Sequence, residues 1–408
     1  MALIVQKFGG TSVGDVERIQ NVARRVVETR RAGHDVVVCV SAMSGETNAL
    51  VSLAEEISGG RTPQAREYDV LLSVGEQKTI ALLAMAIEEL GEKARSFTGR
   101  QMGMRTDSAH NRARIKDVDA GALRACLEDG MVCVIAGFQG VSDSGDITTL
   151  GRGGSDTSAV AVACALEADV CEIYTDVDGV YTADPRVVPN ARKLSGIAFE
   201  EMLELASLGA KVLQIRSVKF AMRYGLPIHV RSSFSGEEGT WVMPEEEIME
   251  QLVVSGVTCN ANEAKIRLQS VPDQPGIAAS VFTPLGEAGI VVDMIIQNYA
   301  SDGSTDMTFT VPRGDYAQAL EIAQAAGKDL GSKCVDGDDG IAKVSIVGLG
   351  MKDHAGVATR MFEVLARKEI NIQMISTSEI KISVVIDEAH SELAVQSLHE
   401  EFVDDSEG

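Results

Sequence analysis

At 408 residues, with 45% hydrophobic and 24% charged side chains, the chain is too long for one small core and has the composition of an ordinary globular protein of about two or three domains. A formal charge of −23 repels phosphate backbones and anionic lipid surfaces, and runs such as Arg30-Arg31 are too short for a basic stripe, so nucleic acid is excluded as a partner. Uninterrupted apolar runs fall short of a bilayer span, which excludes a membrane protein; seven cysteines without a CxxC pair read as buried, reduced thiols, and six histidines without HxH or HExxH spacing exclude a dedicated zinc site.

The first element is a short apolar strand from Leu3 to Phe8, which with Lys7 inside it is too short for a signal peptide, so a cytoplasmic location is expected. It runs into Lys7-Phe8-Gly9-Gly10-Thr11-Ser12 and then a helix from Asp15 to Arg31 with Val16, Ile19, Val22, Ala23, Val26 and Val27 on one face. Two glycines admit an anion to the backbone N–H groups, the helix start adds positive potential and Lys7 supplies a mobile charge, which together make a phosphate cradle. The lysine precedes the glycines, so this is not a P-loop, and a plain turn with a surface lysine is an equal alternative for the motif alone. Val36 to Ser41 reads as the next strand and Leu71 to Leu90 as a helix. Glu76, near the expected start of that helix, pairs either with a substrate ammonium or with the helix dipole.

Met131 to Phe138 is a third strand, and a second Gly-rich turn, Gly151-Arg152-Gly153-Gly154-Ser155-Asp156-Thr157-Ser158, opens a helix from Thr157 to Ala168. Arg152 there suits bidentate binding of a carboxylate, while Asp156 orients Lys7 or a magnesium-bound phosphate, or is simply an N-cap. Val170 to Thr175 is a fourth strand, followed by the polar loop Tyr174 to Arg186 at a strand's carboxyl end, where open α/β sheets bind ligands; a solvated turn is the plainer reading. Lys211 is likewise a ligand or a surface lysine. Strands alternating with helices imply parallel pairing through right-handed crossovers, so residues 1 to about 240 read as an α/β sandwich.

From Ser235 to Glu250 the chain turns acidic, with Gly and Pro, as at a domain boundary. Beyond it the sequence repeats at a spacing of 80 residues: Asp273 matches Asp353, Gly276 matches Gly356, Ile277 matches Val357, Ala278 matches Ala358, and the register holds to Met294 and Met374. Each copy shows a strand, a turn with Asp and Gly, a helix and alternating strands, a unit of the split βαβ kind, and two copies suggest a paired sensor.

Together KFGGTSV at 7–13, SAMSGETN at 41–48, LLSVGEQ at 71–77, GRGGSDTSA at 151–159 and YTDVDGVYTADPR at 174–186 closely resemble the aspartate kinases of the amino acid kinase superfamily, and the repeat resembles their paired ACT domains. The resemblance implies an α/β three-layer sandwich with a central, mainly parallel sheet over residues 1–245. It implies a connecting segment over 246–263 that can complete the second ACT unit, and two α+β (βαββαβ) ACT domains over 264–338 and 339–408. The implied activity is transfer of the ATP γ-phosphate to the β-carboxylate of L-aspartate, with Mg2+ carried by ATP and no metal site of the protein's own. Lys7 and Asp156 would be catalytic, and Ser41, Thr47, Glu76, Arg152 and Ser155 would bind substrate. Lys7, Phe8, Gly9, Gly10, Tyr174, Thr175, Asp176, Tyr181, Asp184, Pro185, Arg186 and Lys211 would hold ATP.

Lysine, threonine or both would bind at Asp273, Gly276, Ile277, Ala278, Gln297 and Asn298 in the first copy, and at Asp353, Ala355, Gly356, Val357, Asn371, Ile372, Ser378 and Glu379 in the second. The repeat alone would equally serve only to dimerise the chain. The family also implies a homo-oligomer, or a heterotetramer with a short chain starting near Met243 or Met249. Two other readings are a kinase for glutamate or acetylglutamate, against which the paired tail argues, and a catalytically silent sensor, against which Lys7, Arg152 and Asp156 argue.

Overall fold

Residues 1–210, 212–248, 253–299 and 303–404 are described by a computed structural model, and they fall into two units. The first gathers Met1–Val180, Lys193–Ala206 and the described part of Lys211–Met249; the second gathers Tyr181–Arg192, Ser207–Ala210 and the described part of Glu250–Gly408.

In the first unit the four runs without polar alternation lie side by side and parallel, in the order Val170–Thr175, Leu3–Phe8, Asp35–Val40, Val132–Ala136, at the centre of an eight-stranded sheet. Only Ile228–Ser232 and Thr240–Met243 pair antiparallel within that sheet. Both faces are covered, which is why these strands are mostly apolar, and the buried exceptions Gln6 and Glu172 pair with each other, Gln6 Nε2 donating to Glu172 Oε2 at 2.8 Å. On one face Ile19, Val22, Val26 and Val27 of the helix Val16–Arg31 pack with Ile80, Leu83 and Ile87 of the helix Ala65–Glu89 over Val36, Val38 and Val134. On the other lies the helix Gly154–Leu166, buried almost throughout, beside Ile215–Tyr224. This is a three-layer α/β sandwich with a mainly parallel sheet, and the loops at the carboxyl ends of its central strands share one edge.

The helix expected from Leu71 begins at Ala65. Its first turns, AREYDV, carry three charged residues that break the apolar pattern, and Gln64 makes no capping bond, so the start lacks a side-chain cap to mark it. With 25 residues it is long and apolar enough to cross a bilayer by length and composition, yet Asp69, Ser73, Glu76 and Thr79 lie buried along it, as in a core helix. A small sheet of Ile115–Val118, Met104–Thr106, Gln139–Ser142 and Ile147–Thr149, which the sequence did not announce, leads directly into the second Gly-rich turn. Cys39, Cys126, Cys133 and Cys171 are buried thiols, whereas Cys334 is exposed, contrary to expectation.

The second unit is built on a six-stranded antiparallel sheet in the order Ile295–Tyr299, Ser304–Pro312, Gly256–Pro272, Cys334–Val347, Lys381–Asp387, Met374–Thr377. Its two long central strands are shared: Gly256 to Asn260 pairs with Lys343 to Val347, and Lys265 to Gln269 pairs with Cys334 to Asp338. The 80-residue repeat persists in backbone conformation. Gly276 and Gly356, at φ +98° and +94°, cap the equivalent helices Ile277–Glu287 and Val357–Arg367. Each copy has its own core, one around Phe309, Leu285 and Val281 and one around Met361, Leu365 and Leu398.

The core of the second copy also takes in Ala183 and Val188 of the segment Tyr181–Arg192. Val257 N–H donates to Thr182 O at 2.7 Å, Gln396 Nε2 donates to Val187 O at 2.8 Å, and Thr182 Oγ1 lies 2.8 Å from His399 Nε2. Burial pushes the His399 pKa down, so this contact is made by a neutral imidazole at pH 7.

Candidate active site

The carboxyl-end loops of the central sheet, the helix Ala65–Glu89 and the second Gly-rich turn enclose a cleft of about 900 Å³, lined among others by Lys7, Gly10, Ser41, Thr47, Glu76, Arg152, Ser155 and Asp156. Lys7, the penultimate residue of the strand Leu3–Phe8, places Nζ 2.6 Å from Asp156 Oδ1 in the first turn of the helix Gly154–Leu166. Gly10 opens a short 3-10 turn to Val13, and a Cβ there would lie 3.0 Å from Ala42 O, so a side chain would crowd the cradle. The lysine, the glycine turn and a carboxylate within reach fit a magnesium-bound polyphosphate.

Glu76 comes from the middle of the long helix, close against the loop after Asp35–Val40. A Cβ on Gly75 would meet Ala42 Cβ at 2.7 Å, so the glycine lets loop and helix touch. The Ala42 N–H donates to Glu76 Oε1 at 3.1 Å, while Oε2 is buried with no hydrogen-bond partner among the described residues. Burial pushes the Glu76 carboxyl up to about 7, with the Ala42 N–H pulling it back. Arg152 stands between Gly151 and Gly153, both at positive φ, and its exposed guanidinium pairs with no carboxylate among the described residues. Beneath the cleft, Cys39 Sγ donates to Ser155 O at 3.6 Å, and burial raises its thiol far above neutrality, so it is no nucleophile.

Other expected ligands are placed differently. The Tyr174 ring stacks on Phe8 at 4.5 Å in the core and its hydroxyl donates to Glu172 Oε2 at 3.0 Å, so only its backbone, which accepts from Gly9 N–H at 3.4 Å, is near the cradle. Thr175 Oγ1 donates to Asp176 at 3.1 Å. Tyr181, Asp184, Pro185 and Arg186 belong to the second unit, where the Arg186 guanidinium grips Asp184 at 2.7 Å and holds its carboxyl below the usual range. Lys211 and Met249 lie outside the described residues.

Among the expected effector positions, Gly276, Ile277 and Ala278 begin one helix, and Gly356 and Val357 begin its counterpart, preceded by Asp353 and Ala355. Asp273 is exposed and its N–H donates to Gly303 O at 3.0 Å; Gln297, Asn298, Asn371, Ser378 and Glu379 are exposed, and Ile372 is half-buried on the second core. Tyr68, Asn111 and Thr149 also line the cleft and were not singled out in the sequence. The last two arrive with the unannounced small sheet and its neighbouring loop, and no motif marks them.

Residues 2–232 match the amino acid kinase family, and residues 266–328 and 344–402 each match the ACT domain. Over 404 residues the chain is 59% identical to an aspartokinase of Pseudomonas aeruginosa, with 98% of each covered. It is 54% identical over 407 residues to an aspartokinase of Mycolicibacterium smegmatis, covering 98% of this chain and 96% of the relative. E. coli aspartokinase III, solved in complex with aspartate and ADP, superposes with a TM-score of 0.80 at 29% identity, covering 98% of this chain and 99% of that one. The same enzyme in complex with lysine and aspartate gives 0.77 at 28% identity, with the same coverage.

Proposed function

The chain belongs to the aspartokinases of the amino acid kinase family and carries two ACT domains, and from that premise we propose that it phosphorylates the β-carboxylate of L-aspartate with Mg-ATP. The products are 4-phospho-L-aspartate and ADP, at the entry to lysine, threonine and methionine synthesis. One carboxylate oxygen forms a bond to the γ-phosphorus while the bond to the β–γ bridging oxygen breaks, and that electron pair leaves on ADP. A carboxylate is already a nucleophile at neutral pH, so no general base is needed and the rate rests on positioning and charge neutralisation. Magnesium, arriving with ATP, supplies part of that neutralisation.

Lys7 meets the charge on the transferring phosphoryl group, and Asp156, 2.6 Å away, holds Lys7 in place. Glu76 takes the substrate ammonium and Arg152 the α-carboxylate, with Ser41, Thr47 and Ser155 beside them. Phe8, Gly9 and Gly10 form the phosphate cradle; Tyr174, through its backbone, Thr175, Asp176, Tyr181, Asp184, Pro185, Arg186 and Lys211 hold the nucleotide. The observation that carries this reading is Glu76: a buried carboxylate with one oxygen that has no partner among the described residues, in the same cleft as a guanidinium likewise unpaired among them, is suited to an amino acid's ammonium.

We take residues 1–245 as the kinase domain, 264–338 and 339–408 as the ACT domains, and 246–263 as the connection that lends the second ACT domain a strand, as the pairing of Gly256 to Asn260 with Lys343 to Val347 supports. Lysine, threonine or both act through these domains, a reading supported by the lysine complex of the E. coli relative. A cytoplasmic homo-oligomer, or a heterotetramer with a short chain begun near Met243 or Met249, is the proposed assembly. The test is to incubate the protein with Mg-ATP and, in turn, aspartate, glutamate and acetylglutamate, trapping acyl phosphate with hydroxylamine. Aspartyl hydroxamate is expected; its absence, or a preference for glutamate, overturns the reading.

A further inference from the structure

Asp69 is buried, at 0% exposure, on the same face of the helix Ala65–Glu89 as Glu76 and about two turns before it. Its Oδ1 accepts from Thr149 Oγ1 at 2.6 Å and from the Asn111 N–H at 3.0 Å, and its Oδ2 lies 2.7 Å from His110 Nδ1. A buried carboxylate is costly unless its donors are arranged around it, and here they come from the end of the strand Ile147–Thr149 and from the loop at His110 and Asn111.

Both segments border the turn that carries Arg152. Thr149 ends the strand Ile147–Thr149, and Leu150-Gly151-Arg152 follow it. Asn111, at φ +67°, lies against the turn so closely that a Cβ on Gly151 would stand 2.9 Å from its carbonyl oxygen. The two segments are joined again by the Ala113 N–H donating to Thr149 O at 2.9 Å, and by Arg216, which donates to Leu150 O at 2.7 Å and to Ala113 O at 3.0 Å. Among the described residues nothing comparable holds the Arg152 guanidinium itself, so its direction is set by the backbone that carries it.

We propose that Asp69 is a positioning residue for substrate binding: by holding Thr149 and Asn111 it fixes the Gly151–Gly153 turn and aims Arg152 at the substrate's α-carboxylate. This rests on the role given to Arg152 above. Asp69 does not line the cleft, so its removal is expected to act on aspartate binding and to leave ATP binding alone.

Steady-state kinetics on the full chain with Mg-ATP and aspartate test this in Asp69→Asn, Thr149→Val, Thr149→Ser and Arg152→Ala, and in Asp69→Asn and Thr149→Val combined in turn with Arg152→Ala. Asp69→Asn and Thr149→Val each remove one hydrogen bond of the carboxylate and are expected to raise the KM for aspartate about tenfold, with the KM for ATP within about twofold of the parent. Thr149→Ser keeps the hydroxyl and is expected to restore parental values. In the Arg152→Ala background neither substitution should raise the aspartate KM further, because the group it aims is gone. Additive effects in the double variants, or equal rises in both KM values, make Asp69 a structural residue only and overturn the proposal. If Arg152→Ala leaves the aspartate KM unchanged, the role of Arg152 falls first and the proposal with it. Should Asp69→Asn fail to fold, the Thr149 pair and its double variant decide the same question.

Discussion

Glu76 shows how one residue resolves once its surroundings are known. In the sequence it stood at an apparent helix start, where pairing with the helix dipole was the commoner reading and pairing with a substrate ammonium the alternative. The helix begins at Ala65, so Glu76 is far from the N-terminal dipole, and its buried Oε2 has no partner among the described residues. Burial raises its pKa from 4.5 to about 7. Between those two values the folded chain holds a proton that the unfolded chain has released. Stability therefore falls as pH rises through that window and is level above it, by about 3 kcal/mol in all. An ammonium binds the ionised form, so below pH 7 the KM for aspartate should rise about tenfold per unit while that for ATP stays level. Glu76→Gln is expected to abolish that pH dependence, raise the aspartate KM about a hundredfold and raise the Tm above pH 7. A pH-independent aspartate KM in the parent, or an unchanged Tm in Glu76→Gln, would count against the ammonium site.

At the scale of elements, the strands Gly256–Pro272 and Cys334–Val347 carry a seam between the two repeats. Glu263 and Lys343 occupy equivalent repeat positions, 80 residues apart, yet bear opposite charges and meet at 3.0 Å, both nearly fully buried. Asp293 adds a second carboxylate to Lys343. Burial works to lower the Lys343 pKa, and Asp293 and Glu263 more than offset it, so the lysine is charged. Lys343→Met would leave Glu263 buried without its cation and should cost about 3–5 kcal/mol; Lys343→Met with Glu263→Gln should recover most of that loss. Chemical denaturation of both variants checks it, and a double variant as unstable as the single would place the cost in packing. The repeat was legible from Asp273 to Met294, and so were the four central strands, because strands buried on both faces and an ungapped repeat leave strong patterns. The seam was not, because pairing between equivalent strands depends on topology rather than on either copy's own pattern. The small sheet that brings Thr149 to the cleft consists of strands of three or four residues, too short to show alternation.

At the scale of the molecule, sequence order and structural membership part company at Tyr181–Arg192. The motif at 174–186 reads as one loop, and the amino acid kinase match spans 2–232, yet the structure assigns Tyr181–Arg192 to the second unit. The reason is apolar: Ala183 and Val188 enter the core formed by Val257, Met361, Leu365 and Leu398, with Val187 and Ala191 packed against it. Burial of such side chains, at about 25 cal/mol per Å² of apolar surface, outweighs chain continuity with the strand Val170–Thr175. Asp184 and Arg186, proposed here to hold nucleotide, therefore sit on a segment whose anchors, Val257, Gln396 and His399, all lie beyond residue 250. A chain stopped after Ile248 keeps every residue that lines the cleft but leaves Ala183 and Val188 without partners. Such a chain is expected to bind a hydrophobic dye and to bind ATP at least tenfold more weakly than the full chain, measured by calorimetry, with aspartate binding less affected. In the full chain, Gln396→Ala should weaken ATP binding in the same direction by a smaller factor, since it removes a single anchor. A truncated chain that bound ATP as tightly as the full chain would mean that the nucleotide residues are held by the first unit alone.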